Sequence, residues 1–271
     1  MMKEPLAAVV FDWAGTVVDF GSRAPVGAFV DLFSRHGVTI SDAEARVPMG
    51  LPKREHILAI GRMAGVADRW LTRHGEPFSD SHADRLYAEY GPMNAEAATR
   101  HADLVPGTAQ TVRWLRERGL AVGSNTGYSR EIMRDLLPLA ARQGFDPDCL
   151  VCADDVPRSR PSPMALYRCF LDLDVWPAGR VVKVDDTVPG LLEGRHAGCW
   201  TVGVMASGNE VGLSLAEWSA LDAHQRDARL LRARAVLEQA TPDFLIETVA
   251  ELPAVIEAID RRLAEGDSPR S

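Results

Sequence analysis

The chain has 271 residues, 46% of them hydrophobic and 25% charged, enough for one large domain or a main domain with a smaller one. Its formal net charge of -8 makes it a poor general binder of nucleic acid or anionic membranes, so any anion pocket must be built locally. Apolar runs such as Leu6–Phe11 are far too short to span a bilayer, and the opening Met1–Pro5 carries no signal-peptide pattern, which predicts a soluble cytoplasmic protein.

In chain order, Leu6–Phe11 reads as a buried strand, because near-continuous apolarity suits a sheet covered on both faces. From Gly21 to Arg100 the pattern turns helical, with no convincing strand. Val26, Phe29, Val30 and Phe33 form one apolar stripe, and more helix is predicted at Pro52–Met63 and Ser81–Tyr90. Strands resume at Leu120–Ser124, Cys149–Ala153, Val181–Val184 and Thr201–Met205. Helical segments fall at Thr108–Arg118, Glu131–Arg142 and Val188–His196, and a last one carries Leu252, Val255, Ile256, Ile259 and Leu263. This alternation predicts an α/β fold, a doubly wound parallel sheet with its ligand at the carboxyl ends of the strands. Residues 1–20 and 101–271 are the expected core domain. Residues 21–100 are the expected helical cap domain, inserted after the first strand. The tail from Gly266 to Ser271 is expected to fray.

Cys149-Leu-Val-Cys152 has CxxC spacing, yet on a strand its two thiols point to opposite faces. No second such pair and no close histidine pair completes a zinc set, so buried thiols are expected.

The first strand ends Val9-Val10-Phe11-Asp12-Trp13-Ala14-Gly15-Thr16, which puts a carboxylate where ligands bind. Taken alone, Asp12 fits a turn aspartate equally well. Phe-Asp-x-x-Gly-Thr, however, resembles the first motif of the haloacid dehalogenase superfamily. There the first aspartate is the nucleophile, and phosphatases carry a second one two positions on that protonates the leaving alkoxide. Here that place is Ala14, whose side chain donates no proton.

Asn125-Thr126-Gly127 closes the second strand like the superfamily's second motif, with a hydroxyl and backbone N–H groups suited to phosphoryl oxygens. Val184-Asp185-Asp186-Thr187 closes the fourth strand like the acidic motif that binds magnesium. Oxygens of Asp12 and Asp186 suit an octahedral Mg²⁺ that retains waters, with Asp185 either a ligand or a support. Such an ion would ease repulsion between the attacking carboxylate and an anionic phosphoryl group. In Arg158-Ser159-Arg160-Pro161 an arginine stands where the third motif usually has lysine, and Arg160 is the better match.

Within the expected cap, Met49-Gly50-Leu51-Pro52-Lys53-Arg54-Glu55-His56 precedes an apolar-periodic run. Proline favours the first helical position, which places Lys53 in the first turn and His56 on the same face. The helix dipole, Arg54 and burial would all disfavour the ammonium form. A lysine so depressed is partly neutral and can attack an aldehyde to give an imine. A plain solvated lysine is the ordinary alternative.

Met-Gly-Leu-x-Lys-x-x-His resembles the cap motif of the phosphonoacetaldehyde hydrolase (phosphonatase) family, which also has a small residue at the place of Ala14. Thr126-Gly127-Tyr128 and Arg160-Pro161 match that family too, and the resemblance covers nearly the whole chain. It implies hydrolysis of the carbon–phosphorus bond of phosphonoacetaldehyde, with Mg²⁺ as cofactor. By this resemblance Lys53 forms a Schiff base with the substrate, Asp12 takes the phosphoryl group and His56 shuttles protons. Thr126, Gly127, Tyr128, Arg160, Met49 and Gly50 are expected to bind substrate and phosphate. Asp12, Asp186 and the backbone carbonyl of Ala14 are expected to hold the metal. A homodimer packed through the cap is likewise implied. Ser22 departs from members that carry cysteine there. The rival readings are another Schiff-base hydrolase for a related 2-oxo phosphonate, a phosphatase or phosphomutase that Ala14 disfavours, and a silent binding protein.

Overall fold

The computed structural model describes residues 5–270, so Met1–Glu4 and Ser271 lie outside it. It begins with β1 (Ala8–Phe11), four fully buried residues. Five helices precede the next strand: α1 (Arg23–Arg35), α2 (Asp42–Arg46), α3 (Lys53–Arg62), α4 (Ala64–His74) and α5 (Asp80–Arg100). Strands and helices then alternate through α6 (Thr108–Glu117), β2 (Ala121–Asn125), α7 (Arg130–Gln143), β3 (Cys149–Val151), α8 (Met164–Leu173), β4 (Val181–Asp185), α9 (Val188–Ala197) and β5 (Trp200–Val204). The chain closes with α10 (Leu215–Ala220), α11 (Ala223–Leu237), β6 (Phe244–Ile246) and α12 (Leu252–Ala264).

Every strand pairing is parallel, in the order β3-β2-β1-β4-β5-β6. The chain runs outward from β1 to β3, then returns to the far side of β1 and runs outward again. That reversal opens a crevice at the carboxyl ends of β1 and β4, the usual ligand position in a doubly wound sheet. Phe11 pairs with both Ser124 and Val184, so the residues that follow on β1, β2 and β4 emerge side by side.

Alternation along the strands fills both faces of the sheet. Val9 and Phe11 pack with Val122, Val184, Leu115, Leu136 and Ile256, whereas Ala8 and Val10 pack with Leu166 and Cys169. Cys149 and Cys152 fall into these two opposite clusters as buried free thiols, as their spacing implied.

The insertion between β1 and β2 has an apolar core of its own. Phe29, Leu32 and Phe33 meet Ile57, Ile60, Trp70, Leu86 and Tyr90. A fully buried side chain of this kind stabilises by roughly 1.5–3 kcal/mol. α2 is only five residues long and starts with a capping box in which Ser41 and Glu44 satisfy each other's backbone N–H groups.

Several details depart from the sequence pattern. β6 is a sixth strand, and its three residues carry too little periodicity to announce it. α4 is a further helix whose buried stripe is only Val66 and Trp70, one turn apart, and α5 runs through Pro92 for 21 residues. Pro52 lies just before α3, so Lys53 is the first helical residue. The described part of the tail is tied down, since Asp267 N–H donates to Arg262 O and Arg270 N–H to Asp243. No helix among the described residues is long and apolar enough to cross a membrane.

Candidate active site

Asp12 leaves β1 with its N–H donated to Val184 O, 2.9 Å away on β4, which aims its carboxylate into the crevice. Asp186 follows β4 and receives the Asn209 N–H at 2.8 Å and the Thr16 hydroxyl at 3.4 Å. The turn between them has no room for a side chain. Gly15 has φ +86°, and a Cβ there would lie 2.3 Å from Asp186 Oδ2.

Arg160 enters the crevice from the loop before α8 and lies almost wholly buried. Its Nη2 is 2.7 Å from Asp12 Oδ1, its Nη1 3.3 Å from Asp185 Oδ2 and its Nε 3.2 Å from Glu193 Oε2. Nη2 also donates to the Asn125 carbonyl at 3.0 Å. Lys183, fully buried in β4, lies 3.0 Å from Asp185 Oδ2 and donates to Asn125 Oδ1. A planar guanidinium that serves three carboxylates at once fixes the floor of the site.

Electrostatics set the floor apart from an ordinary surface cluster. Burial raises the Asp12 carboxyl to about 6, with Asp185 pushing the same way and Arg160 and Lys183 pulling back. Burial, with Asp12 and Asp185 alongside, holds Asp186 well above the usual carboxylate range. Asp185 is different. Burial would raise it, but Arg160, Lys183 and the Thr187 hydroxyl keep it below its ordinary value.

Asp12, Asp185 and Asp186 offer oxygens within 4.8 Å of one another, a geometry that can hold a metal ion. The charge count agrees with a divalent cation. On the floor, Asp12, Asp185, Asp186 and Glu193 face Arg160 and Lys183, an excess of carboxylates over cations that suits a divalent ion. Asp185 Oδ1 already accepts both the N–H and the O–H of Thr187, at 3.0 and 2.8 Å. Its Oδ2 faces the cations Lys183 and Arg160 at 3.0 and 3.3 Å, so Asp185 is already neutralised, whereas Asp186 meets the neutral donors Asn209 and Thr16.

The insertion forms the roof. Lys53 Nζ lies 5.5 Å from the ring centroid of Tyr128 and 5.7 Å from that of Phe29. Burial lowers its pKa to about 8, with Arg160 adding to the effect and Asp12 and Asp186 opposing it. Arg54, next in sequence and expected from its position to depress the amine, is not among the causes. Arg54 instead reaches outward to Asp84 at 2.6 Å and Asp80 at 3.7 Å, so it plays no part. Gly50 has φ +90°, and a Cβ there would lie 2.7 Å from Thr187 Oγ1, so roof and floor touch only because this residue is glycine.

One cavity joins roof and floor. Of the residues singled out from the sequence, Asp12, Ala14, Met49, Gly50, Lys53, Thr126, Gly127, Tyr128, Arg160 and Asp186 all line it. His56 does not. Its ring is buried and stacked on Phe29 at 3.9 Å, and Nε2 lies 2.8 Å from Ala45 O. A carbonyl only accepts, so Nε2 carries the proton and Nδ1 is a bare lone pair. That Nδ1 has no partner among the described residues, and burial next to Lys53 keeps the ring neutral.

Lys183, Glu193 and Asn125 belong to the floor and escaped the sequence reading of individual roles. A charged residue in the middle of the apolar run Val181–Val184 was the available signal for Lys183. Nothing in the sequence marks Glu193, which sits on an ordinary-looking helix.

Comparison with known proteins agrees with this geometry. Residues 6–198 match the model of the haloacid dehalogenase-like hydrolases. The chain is 45% identical over 267 residues to a phosphonoacetaldehyde hydrolase of Hahella chejuensis, covering 98% of this chain and 91% of that protein. It is 44% identical over 271 residues to one of Vibrio cholerae, covering 99% and 100%. A crystal structure of a phosphonoacetaldehyde hydrolase-like protein from Oleispira antarctica superposes with a TM-score of 0.97 at 40% identity, covering 99% of this chain and 98% of that one.

Proposed function

This chain belongs to the haloacid dehalogenase-like hydrolases and, among them, to the phosphonoacetaldehyde hydrolases, and on that premise we propose that it hydrolyses phosphonoacetaldehyde to acetaldehyde and phosphate. The observation that carries this reading is the single cavity lined by both a depressed lysine and a strand-end carboxylate.

The problem of the reaction is where the electrons go. Breaking a carbon–phosphorus bond leaves a pair on carbon, and no acid at position 14 would help. Lys53, as the free amine, adds to the aldehyde carbon and water departs, giving a protonated imine. An oxygen of Asp12 then forms a bond to phosphorus. The carbon–phosphorus pair moves into the imine, whose nitrogen becomes neutral as an enamine. The enamine carbon takes up a proton, and water releases acetaldehyde from Lys53. A second water cleaves the aspartyl phosphate and frees Asp12.

The other residues support these steps. Arg160 and the Thr126–Tyr128 loop hold the phosphoryl oxygens, and the Ala14 methyl leaves room where a phosphatase carries its acid. Met49 and Gly50 close the roof over the substrate. His56, one turn along α3 from Lys53, is assigned to relaying protons to and from the amine, with the bare lone pair of its Nδ1 as the relay point. Asp12, Asp186 and the Ala14 carbonyl would hold Mg²⁺ on the floor, and the ion would supply positive charge against the phosphoryl group.

The helical insertion, residues 21–100, acts as a cap that closes on the core domain and excludes water. We place the enzyme in the cytoplasm, where four free thiols are in keeping with a reducing compartment, and as a homodimer through the cap.

The test is borohydride trapping with mass mapping. Protein incubated with phosphonoacetaldehyde and borohydride should carry an alkyl adduct on Lys53. Phosphate release without any trapped lysine would overturn the mechanism.

A further inference from the structure

The cap and the core are joined by a contact away from the reacting groups. α2 ends at Arg46, a half-buried residue whose guanidinium leaves the cap and enters a ring of carbonyl oxygens. Nη1 donates to Gly21 O at 2.9 Å, to Asn209 O at 3.2 Å and to Asn209 Oδ1 at 3.2 Å, and Nη2 donates to Gly212 O at 3.1 Å. Asn209 answers with its Nδ2, 3.4 Å from Arg46 O. Among the described residues no carboxylate lies within ion-pair distance of this guanidinium.

The oxygens come from two bodies. Gly21 belongs to the linker by which the chain leaves the core for the cap, and Asn209 and Gly212 belong to the core loop after β5. Gly21 N–H is itself bonded to Ser207 O at 2.7 Å on that loop. The same Asn209 gives its backbone N–H to Asp186 Oδ2 at 2.8 Å. One side chain of the cap thus grips both the linker and the residue that orients a site carboxylate. The loop is shaped for it, because a Cβ at Gly212 would lie 2.7 Å from the Arg46 guanidinium carbon.

We propose that Arg46 is a positioning residue that pins the cap on the core and, through Asn209, sets the Asp186 carboxylate for its cation. This rests on the functional reading above only in assigning Asp186 to the cation. Because the guanidinium meets neutral carbonyls, its hold depends on direction and distance. A cap that swings away withdraws all of its bonds together and frees the Asn209 loop. Closure of the roof and order in the floor are then one event.

The experiment needs no turnover. Hydrogen–deuterium exchange and a Mg²⁺ titration by calorimetry are run on the full chain, on Arg46→Met and on Arg69→Met. Arg69 pairs with Glu44 at 2.6 Å, an exposed contact made within the cap. Arg46→Met should speed exchange at Gly21, Asn209 and Gly212 and weaken Mg²⁺ binding by about tenfold, the loss expected for charge-assisted hydrogen bonds. Arg69→Met should leave both unchanged. Arg46→Lys, the variant safer for folding, keeps the charge with fewer directed donors and should fall between. Wild-type exchange and Mg²⁺ affinity in both Arg46 variants would overturn the proposal, as would equal effects in Arg46→Met and Arg69→Met. Failure of the hydrolase reading would show separately, as no phosphate release by the wild-type chain.

Discussion

Lys53 on the cap and Tyr128 on the loop after β2 face each other, with the amine 5.5 Å from the centre of the phenol ring. An aromatic face attracts a cation, while burial favours a neutral amine. Burial wins here, because the Lys53 pKa falls to about 8. Burial of Lys53 between the insertion and the strand ends makes that outcome possible, so the packing of the insertion over the sheet is tied to the state of the amine.

The first prediction concerns the pH dependence of trapping. With a pKa of about 8, roughly one Lys53 in ten is neutral at pH 7, against fewer than one in a thousand for an ordinary lysine. The rate of adduct formation on Lys53 should rise with pH and level off above about 8. Mass-mapped trapping at a series of pH values measures it. A midpoint near the ordinary lysine value would mean that the cap does not depress the amine.

A second prediction separates the two halves of the reaction. Lys53→Arg keeps a positive charge but a guanidinium forms no imine, so turnover should drop by at least about a thousandfold. Asp12→Ala should retain a trappable Lys53 while phosphate release stops. Phosphate release by Lys53→Arg near the wild-type rate would sink the Schiff-base mechanism, whatever the second variant does.

The sequence disclosed the site better than its foundations. Asp12, Thr126 and Asp186 stand at ends of adjacent parallel strands, so topology alone brings them together once strand order is known. Lys53 and Met49 were legible only through their motif, because no rule of spacing says that a helix inserted after β1 folds back over its carboxyl end. Lys183 and Glu193 were not read, since each contact depends on which face of β4 or α9 turns inward. His56 shows the same gap at finer scale. Spacing put it on the face of Lys53, yet its partners are the Phe29 ring and the Ala45 carbonyl, contacts between helices that no local pattern encodes. β6 was missed for a simpler reason, being three residues long.

Arg160 supports the third prediction, which is about stability. Its guanidinium stands within ion-pair distance of Asp12, Asp185 and Glu193, all buried. Arg160→Met removes the partner and leaves those carboxylates uncompensated, which should destabilise the chain by about 3–5 kcal/mol. Arg160→Lys, with one charge and no fork, should lose less. Urea unfolding at neutral pH reads both. A loss below about 1 kcal/mol in Arg160→Met would mean that Lys183 alone balances the floor.

The last prediction couples the cation to pH. Asp12 is raised to about 6 and Asp186 lies well above its ordinary value, so in the metal-free chain the folded state binds more protons than the unfolded one. The sign follows directly. Stability of the metal-free protein should fall as pH climbs through the window from about 4 to 6, because ionising these carboxyls costs more in the folded state. Mg²⁺ binds the ionised form and competes with those protons, so its stabilising effect must grow with pH. At a free concentration a hundredfold above Kd the gain should be about 2.7 kcal/mol at about pH 8, and smaller by at least about 1.3 kcal/mol at about pH 5, where a carboxyl of pKa about 6 is mostly protonated. Thermal unfolding with and without Mg²⁺ at the two pH values decides the matter. An equal gain at both would show that the ion binds away from Asp12 and Asp186, and no gain at the higher pH would remove the cation from the floor altogether.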